Sequence, residues 1–426
     1  MSDIFSDLSW RGLIHQSTAE DVLPGWLNES PRTVYAGFDP TADSLHVGSL
    51  MPLMMLRRFQ KAGHRPLALA GGATGLIGDP SGKSAERNLL SPEDLQKNLA
   101  GIESQMRTLL DFDCGDTAAL LVDNHEWMKT FSYIEFLRDI GKNFPVNVMM
   151  QKESVKSRLS SEAGLSYTEF SYMLLQAYDF VHLHDNYGCE LQIGGSDQWG
   201  NITAGIDLGR RMLGAQLYGL TCPLLTKSDG SKMGKTEAGA IWLSAEKTSP
   251  YAFYQYWVNV ADDDVAMCLR VLTELDREEI EGLDTSREER PHERESQKRL
   301  AEEVTRLIHG EAGLAKARQA TAIFFGAEIE NLDDGELAQI FEDVPSEQLS
   351  FEVLQGDGLS VVDAFCATPL AGSKGEARRS ISQGGAYVNN RRVEQPEATL
   401  TPSDLAGESM IVLRSGKKKY ASLRFS

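Results

Sequence analysis

Two polar clusters, far apart in a chain of 426 residues, have the composition needed to handle a polyanion. In the first, Tyr35-Ala36-Gly37-Phe38-Asp39-Pro40 runs through Thr41 and Asp43 to Leu45-His46-Val47-Gly48-Ser49-Leu50. The pattern predicts a strand that ends at Pro40 and a helix that starts soon after. Free backbone N–H groups and the helix dipole at such a start favour an anion. Thr41 and His46 add side-chain donors, and Gly48 lets a flat base approach the backbone. Taken alone, His46 reads more readily as a structural donor. The second cluster, Lys232-Met233-Gly234-Lys235-Thr236, lies between Gly230 and Gly239 in a segment with little helix or strand character. Two lysines three apart around a glycine can close on charge that develops late in a reaction. A solvated surface loop would have the same composition.

Three further segments carry polar groups at spacings that suit a small ligand. Tyr172, Gln176 and Asp179 recur at i, i+4 and i+7 and share one helix face. Phe170, Met173, Leu174, Ala177 and Phe180 fall opposite, so the stripe either faces solvent or turns inward to a ligand. A buried Asp179 would need donors. The run Gly71-Gly72-Ala73-Thr74-Gly75-Leu76-Ile77-Gly78-Asp79-Pro80-Ser81-Gly82-Lys83-Ser84-Ala85-Glu86-Arg87 superficially looks like a phosphate-cradling P-loop. It is not one: only three residues separate Gly78 from Gly82-Lys83-Ser84, where that motif has four. Leu191-Gln192-Ile193-Gly194-Gly195-Ser196-Asp197-Gln198 leads from a strand through glycines into a helix, either as a ligand loop or as a tight turn capped by Asp197.

Positioning these groups falls to strands predicted at residues 33–38, 66–70, 119–123 and 190–193, alternating with amphipathic stretches in the manner of an open parallel sheet. Three of the strands run into glycine-bearing loops, where an α/β fold places its ligand crevice. The expected fold is therefore α/β: a Rossmann-like parallel-sheet domain over residues 1–227, with a helical insertion near 128–185 that could also serve as a subunit contact. Residues 228–250 hold the lysine-bearing loop, 251–330 an acidic α-helical domain and 331–357 an acidic linker. A small α+β domain follows at 358–426. The formal charge of -20 argues against general nucleic-acid affinity, but residues 370–426 carry ten Lys and Arg against five Asp and Glu, which leaves -25 for the rest. A basic module thus hangs on an acidic body. The five cysteines, Cys114, Cys189, Cys222, Cys268 and Cys366, lack metal-site or redox spacing and read as buried thiols, so no protein-bound zinc is expected. Neither a secretory signal nor a membrane span is read, so a soluble, cytoplasmic protein is expected.

The two clusters, here HVGS and KMGKT, together resemble the HIGH and KMSKS signatures of class I aminoacyl-tRNA synthetases, with Ser49 where the second signature histidine would stand. With the three further segments the resemblance narrows to the tyrosyl-tRNA synthetases. It implies that Asp179 and Tyr35 meet a tyrosine phenol, and that Tyr172, Gln176 and Asp79 surround its α-ammonium. Gln192 and Gln198 would hold the substrate end of the site. Asp39, His46, Gly48, Gly195, Asp197 and Lys235 would bind ATP, with Asp197 on the ribose. Thr41, His46, Lys83, Arg87, Lys232, Lys235 and Thr236 would act on the phosphates and departing pyrophosphate, with Mg2+ accompanying the nucleotide. From about Gly358 the chain is similar to the small RNA-binding domain that bacterial members share with a ribosomal protein. Its clusters Lys374, Arg378-Arg379, Arg391-Arg392 and Lys417-Lys418-Lys419 suit tRNA phosphates. The resemblance further implies a homodimer and two-step charging of tRNA(Tyr). A tryptophan-specific relative would share the fold and both signatures, but has no need of Asp179 beside Tyr35. A scaffold that has lost its chemistry would have no need of His46, Lys232 and Lys235.

Overall fold

The structure, a computed structural model, describes residues 3–81, 90–160, 164–236, 239–329, 332–342 and 344–426. It divides into two compact units. One comprises the chain up to Thr248 with Tyr256–Ile308, the other Ser249–Gln255 with His309–Ser426.

A six-stranded sheet centres the first unit. In chain order its strands are β1 (Gln16–Ser17), β2 (Thr33–Phe38), β3 (Arg65–Ala70), β4 (Leu120–Asp123), β5 (Cys189–Gly195) and β6 (Tyr218–Cys222). They lie in the order β1-β6-β5-β2-β3-β4, all parallel except β1, which runs antiparallel to β6. Strand order reverses direction between β2 and β5, and a ligand crevice belongs outside the carboxyl ends of strands at such a point. Four of these strands follow the predicted positions. β6 was not predicted, because all five of its residues are buried and one is glycine, so it shows no alternation. Gly219 is needed there: a Cβ would lie 2.5 Å from Ile202 Cγ2.

The helix Tyr167–Tyr187 is set by Ser166, whose side chain accepts from Glu169 N at 3.2 Å, and by Gly188 at φ 62, which ends it. It packs on the helix Trp199–Leu213, where a Cβ on Gly205 would sit 3.1 Å from Phe180. Small residues at this crossing let the two backbones approach, which fixes the direction of Tyr172, Gln176 and Asp179. The preceding insertion consists of short helices, Tyr133–Asp139, Val146–Met149 and Glu153–Leu159. Arg158 ties it to the long helix through a buried bidentate pair with Glu169 at 2.6 and 2.8 Å. Removing one partner of such a pair costs about 3–5 kcal/mol, because the other charge stays buried alone.

The region predicted as one helical domain over 251–330 is divided. Gly310, at φ 70 and ψ -178, interrupts the helix Glu295–Phe324, since a left-handed residue breaks the i→i−4 ladder. Residues 256–308 belong with the sheet unit. Arg11 donates to the carbonyls of Arg270 and Leu275 at 3.0 and 2.8 Å, and so holds the end of the helix Asp262–Leu272.

Residues 331–357 are also not a bare linker. Helix Asp334–Ile340 and strand Ser346–Leu349 lie within them, and the strand pairs in parallel with Lys419–Phe425 at the edge of a five-stranded sheet. Along the neighbouring strand Met410–Ser415, side chains alternate between two apolar layers. Ile411 and Leu413 pack with Val361, Phe365 and Ile381, whereas Met410 and Val412 pack with Ile323, Leu337 and Phe341. The acidic composition concealed this second layer, because its few apolar residues all point inward. The cysteines differ from expectation as well: Cys189, Cys222 and Cys268 are buried, but Cys114 is exposed and Cys366 is partly so.

Candidate active site

The polar stripe on the long helix turns inward. Asp179 is 1% exposed, and its carboxylate accepts from Trp127 Nε1 at 2.8 Å and Asn124 Nδ2 at 3.0 Å. Burial pushes its pKa up to about 7, against the opposing pull of those two hydrogen bonds. The donors that a buried Asp179 needs are thus supplied in part by the protein itself, through two neutral groups. Tyr35 lies on β2, buried with its ring edge-on to Phe180 at 5.1 Å. Burial, and then the charge of Asp179, raise its phenol pKa well above the usual value.

From this pair a hydrogen-bonded chain runs toward the end of β2. Asn124 also donates to Thr74 Oγ1 at 3.1 Å, Thr74 donates to Asp39 Oδ1 at 2.8 Å, and Tyr172 donates to Asp39 Oδ2 at 3.0 Å. Gly71 and Gly72 make room for it: a Cβ on them would meet the carboxylates of Asp39 at 2.3 Å and Asp123 at 2.2 Å. A second network joins the other predicted residues. Gln198 donates to Asp79 Oδ2 at 2.6 Å, and Gln176 donates to Gln198 Oε1 at 3.3 Å. Gln192 is the register partner of Tyr35 across β2 and β5.

Tyr35 Oη, Gln176 Oε1 and Gln192 Oε1 are buried without a protein hydrogen-bond partner among the described residues. Unmatched buried polar atoms cost free energy. Two of these are acceptors and the third can accept or donate. With the carboxylates of Asp39, Asp79 and Asp179 nearby, they suit a ligand that brings several donors, as an ammonium and a phenol do.

The first signature cluster pairs through its backbone with the segment that follows the second. Val47 N donates to Ile241 O at 3.0 Å, Leu243 N to Leu45 O at 2.9 Å, and His46 forms an antiparallel bridge with Trp242. Gly234, at φ +80, lies so close that a Cβ would stand 2.8 Å from Val47 Cβ. The lysine-bearing segment is not irregular, as its composition suggested. Thr226 bridges Lys232, and Lys235–Thr236 pairs with Gly239–Ala240. Short glycine-rich pairings of this kind carry no periodicity to read. Lys232, Lys235 and Thr236 are exposed on this hairpin, as are Thr41 and His46. His46 Nδ1 accepts from Gly48 N at 2.9 Å, and a Cβ on Gly48 would lie 2.7 Å from the His46 ring. Lys83 and Arg87 lie outside the described residues.

Asp197 sits inside the turn Ser196–Gln198 rather than at its cap, and a Cβ on Gly195 would meet its carboxylate at 2.7 Å. Thr74, Asp123, Asn124 and Trp127 were not anticipated. The available signal was Asp123-Asn124, two polar residues at the carboxyl end of a parallel strand. Among the described residues no cluster of three or more His, Cys, Asp or Glu could hold a metal ion, and no helix is long and apolar enough to cross a membrane.

In the second unit Lys374, Arg378, Arg379, Arg391, Arg392 and Lys417 to Lys419 are exposed, with Lys374 paired to Asp363 at 2.5 Å and Arg391 to Glu328 at 2.9 Å. Arg414 differs from these: it is buried, stacked on Tyr387 at 3.7 Å.

Known proteins align with this arrangement over its whole length. The family described as tRNA synthetases class I (W and Y) matches residues 27–326, and the tyrosine–tRNA ligase SYY-like C-terminal domain matches residues 336–423. The tyrosine–tRNA ligase of Rhodopirellula baltica is 61% identical over 423 residues, spanning 99% of this chain and 96% of that protein. Its counterpart from Roseiflexus castenholzii is 52% identical over 424 residues, spanning 100% of each chain. Among solved structures, a C-terminally truncated mitochondrial tyrosyl-tRNA synthetase of Aspergillus nidulans superposes with a TM-score of 0.68 at 31% identity, covering 76% of this chain and 95% of that one. With the family matched across most of its length and relatives this similar from end to end, the chain belongs to the tyrosine–tRNA ligases of class I.

Proposed function

We propose that the protein activates L-tyrosine with ATP and transfers it to tRNA(Tyr), releasing AMP and diphosphate. The observation that carries this reading is the burial of Tyr35 within electrostatic reach of the buried Asp179, with Tyr35 Oη, Gln176 Oε1 and Gln192 Oε1 left without protein partners among the described residues. The tyrosine phenol donates to Asp179 and meets Tyr35. Its ammonium is met by Asp79, Tyr172 and Gln176, with Gln192 and Gln198 alongside. The carboxylate is already ionised at neutral pH, so its attack on the α-phosphorus needs no general base. One carboxylate oxygen bonds to phosphorus as the bond to pyrophosphate breaks, giving tyrosyl-adenylate. A ribose hydroxyl of the tRNA then takes the acyl group, and AMP leaves.

Catalysis of the first step is positioning plus stabilisation of charge on the departing pyrophosphate. Thr41 and His46 serve the phosphates, and Lys83, Arg87, Lys232, Lys235 and Thr236 neutralise the leaving group. Asp39, Gly48, Gly195 and Asp197 serve the nucleotide, with Asp197 on its ribose. Mg2+ accompanying the nucleotide would supply further positive charge toward the departing pyrophosphate. The exposed lysines and arginines of the second unit contact tRNA phosphates. Tyr133, Ile134, Val146, Val148 and Met150 expose apolar surface on the insertion, which supports a homodimer formed through that face. A cytoplasmic location accords with the reading.

Amino-acid-dependent exchange of pyrophosphate into ATP tests the proposal. Exchange with tyrosine, and with neither tryptophan nor phenylalanine, is the expected result. Exchange with tryptophan instead would assign the chain to the other specificity of its family, and no exchange at all would mark a scaffold without chemistry.

A further inference from the structure

The hairpin that carries Lys232 and Lys235 is fixed from outside both signature clusters. Gly234, one of the two residues between the lysines, donates its N–H to the Tyr256 hydroxyl at 2.7 Å, while its carbonyl accepts from Ile241 N at 2.8 Å. Its neighbour Met233 is 4% exposed, with Sδ 3.3 Å from Cys268 Sγ. Further along, Ser228 N donates to Asp264 Oδ1 at 2.6 Å. Tyr256, Asp264 and Cys268 all come from the helical stretch after the hairpin, and the Tyr256 ring is itself held edge-on to Trp257 at 5.0 Å. Gly234, at φ +80 and with no room for a Cβ beside Val47, must be glycine, whose backbone is the most permissive and so gains most from an anchor.

We propose that Tyr256 is a positioning residue for adenylation, whose hydroxyl fixes the backbone from which both lysines reach the leaving pyrophosphate. The inference rests on the reading of Lys232 and Lys235 given above. Long lysine side chains order themselves on a charge at an entropic cost, and that cost grows if the backbone beneath them is also loose. The hydrogen bond to Gly234, between them, reduces the backbone contribution. The anchor touches neither tyrosine nor ATP, so its loss should be felt in turnover and not in amino-acid binding.

Tyr256→Phe keeps the ring and deletes only the hydroxyl. The test compares it with the native full-length chain and with Lys235→Ala in two measurements: tryptic cleavage after Lys232 and Lys235 without substrates, and the kcat and tyrosine KM of pyrophosphate exchange. For Tyr256→Phe we expect hairpin cleavage about tenfold faster and kcat about tenfold lower, with the tyrosine KM unchanged, as befits one lost anchor on a transition-state contact. Unchanged cleavage would overturn the anchoring. Faster cleavage with a native kcat, where Lys235→Ala is slow, would overturn the link to catalysis. A native kcat in Lys235→Ala would instead remove the assignment of the hairpin lysines, and this proposal with it.

Discussion

Asp179 lies buried between two neutral donors, whereas Lys232 and Lys235 stand exposed on a hairpin that is fixed chiefly through its backbone. Both belong to the same unit, and in the proposed function both charges serve one reaction. On that proposal the difference follows from when each charge is used. A group that selects the amino acid must be in place before binding, so its desolvation is tolerated and partly offset by Asn124 and Trp127. A group that meets pyrophosphate acts on charge that appears only as the bond breaks, and solvent holds it cheaply until then.

The contrast can be broken first at the exposed end. Lys235→Ala should lower the rate of adenylate formation by about 10²–10³-fold with little change in the equilibrium affinity for tyrosine. Equal losses in both, measured by rapid quench and by equilibrium dialysis, would mean that the two regions are not separated in time. At the buried end, Asp179→Ala should reduce the kcat/KM preference for tyrosine over phenylalanine by about 10–100-fold, the worth of one charge-assisted hydrogen bond. An unchanged preference would remove Asp179 from the phenol.

The smallest effect is the sharpest in sign. Burial raises the Asp179 pKa to about 7, so the acceptor form is fully present above that pH and is lost as pH falls through it. The tyrosine KM should accordingly rise roughly fourfold from pH 8 to pH 6.5 in proportion to the lost carboxylate. Trp127→Phe removes a hydrogen bond that favours the ionised form, and should move this profile to higher pH. A flat KM in the native protein would show that the ionised carboxylate is not what meets the phenol.

The parts of this site that were legible in the sequence are those tied to backbone geometry. Glycines at or just past the carboxyl ends of β3 and β5 mark where side chains approach the main chain, and Gly71 and Gly195 indeed have carboxylates in the space a Cβ would fill. The i, i+4, i+7 stripe gave the face shared by Tyr172, Gln176 and Asp179, but not its direction. Direction was decided by tertiary packing against the helix Trp199–Leu213. Asn124, Trp127 and Tyr256 escaped notice because each acts through hydrogen bonds to distant residues, and such bonds leave no periodic trace. The same holds for the division at Gly310, where one backbone angle outweighs a long stretch of helical composition.

The two apolar layers around Met410–Ser415 bear on how the C-terminal portion could be grafted elsewhere. A fragment cut at Gly358 would leave behind the edge strand Ser346–Leu349 and the cover provided by Ile323, Leu337 and Phe341. It would present Met410, Val412 and Tyr420 as a bare greasy stripe beside an open sheet margin, which invites self-association. A transplant begun at His309 carries its own lid for that stripe.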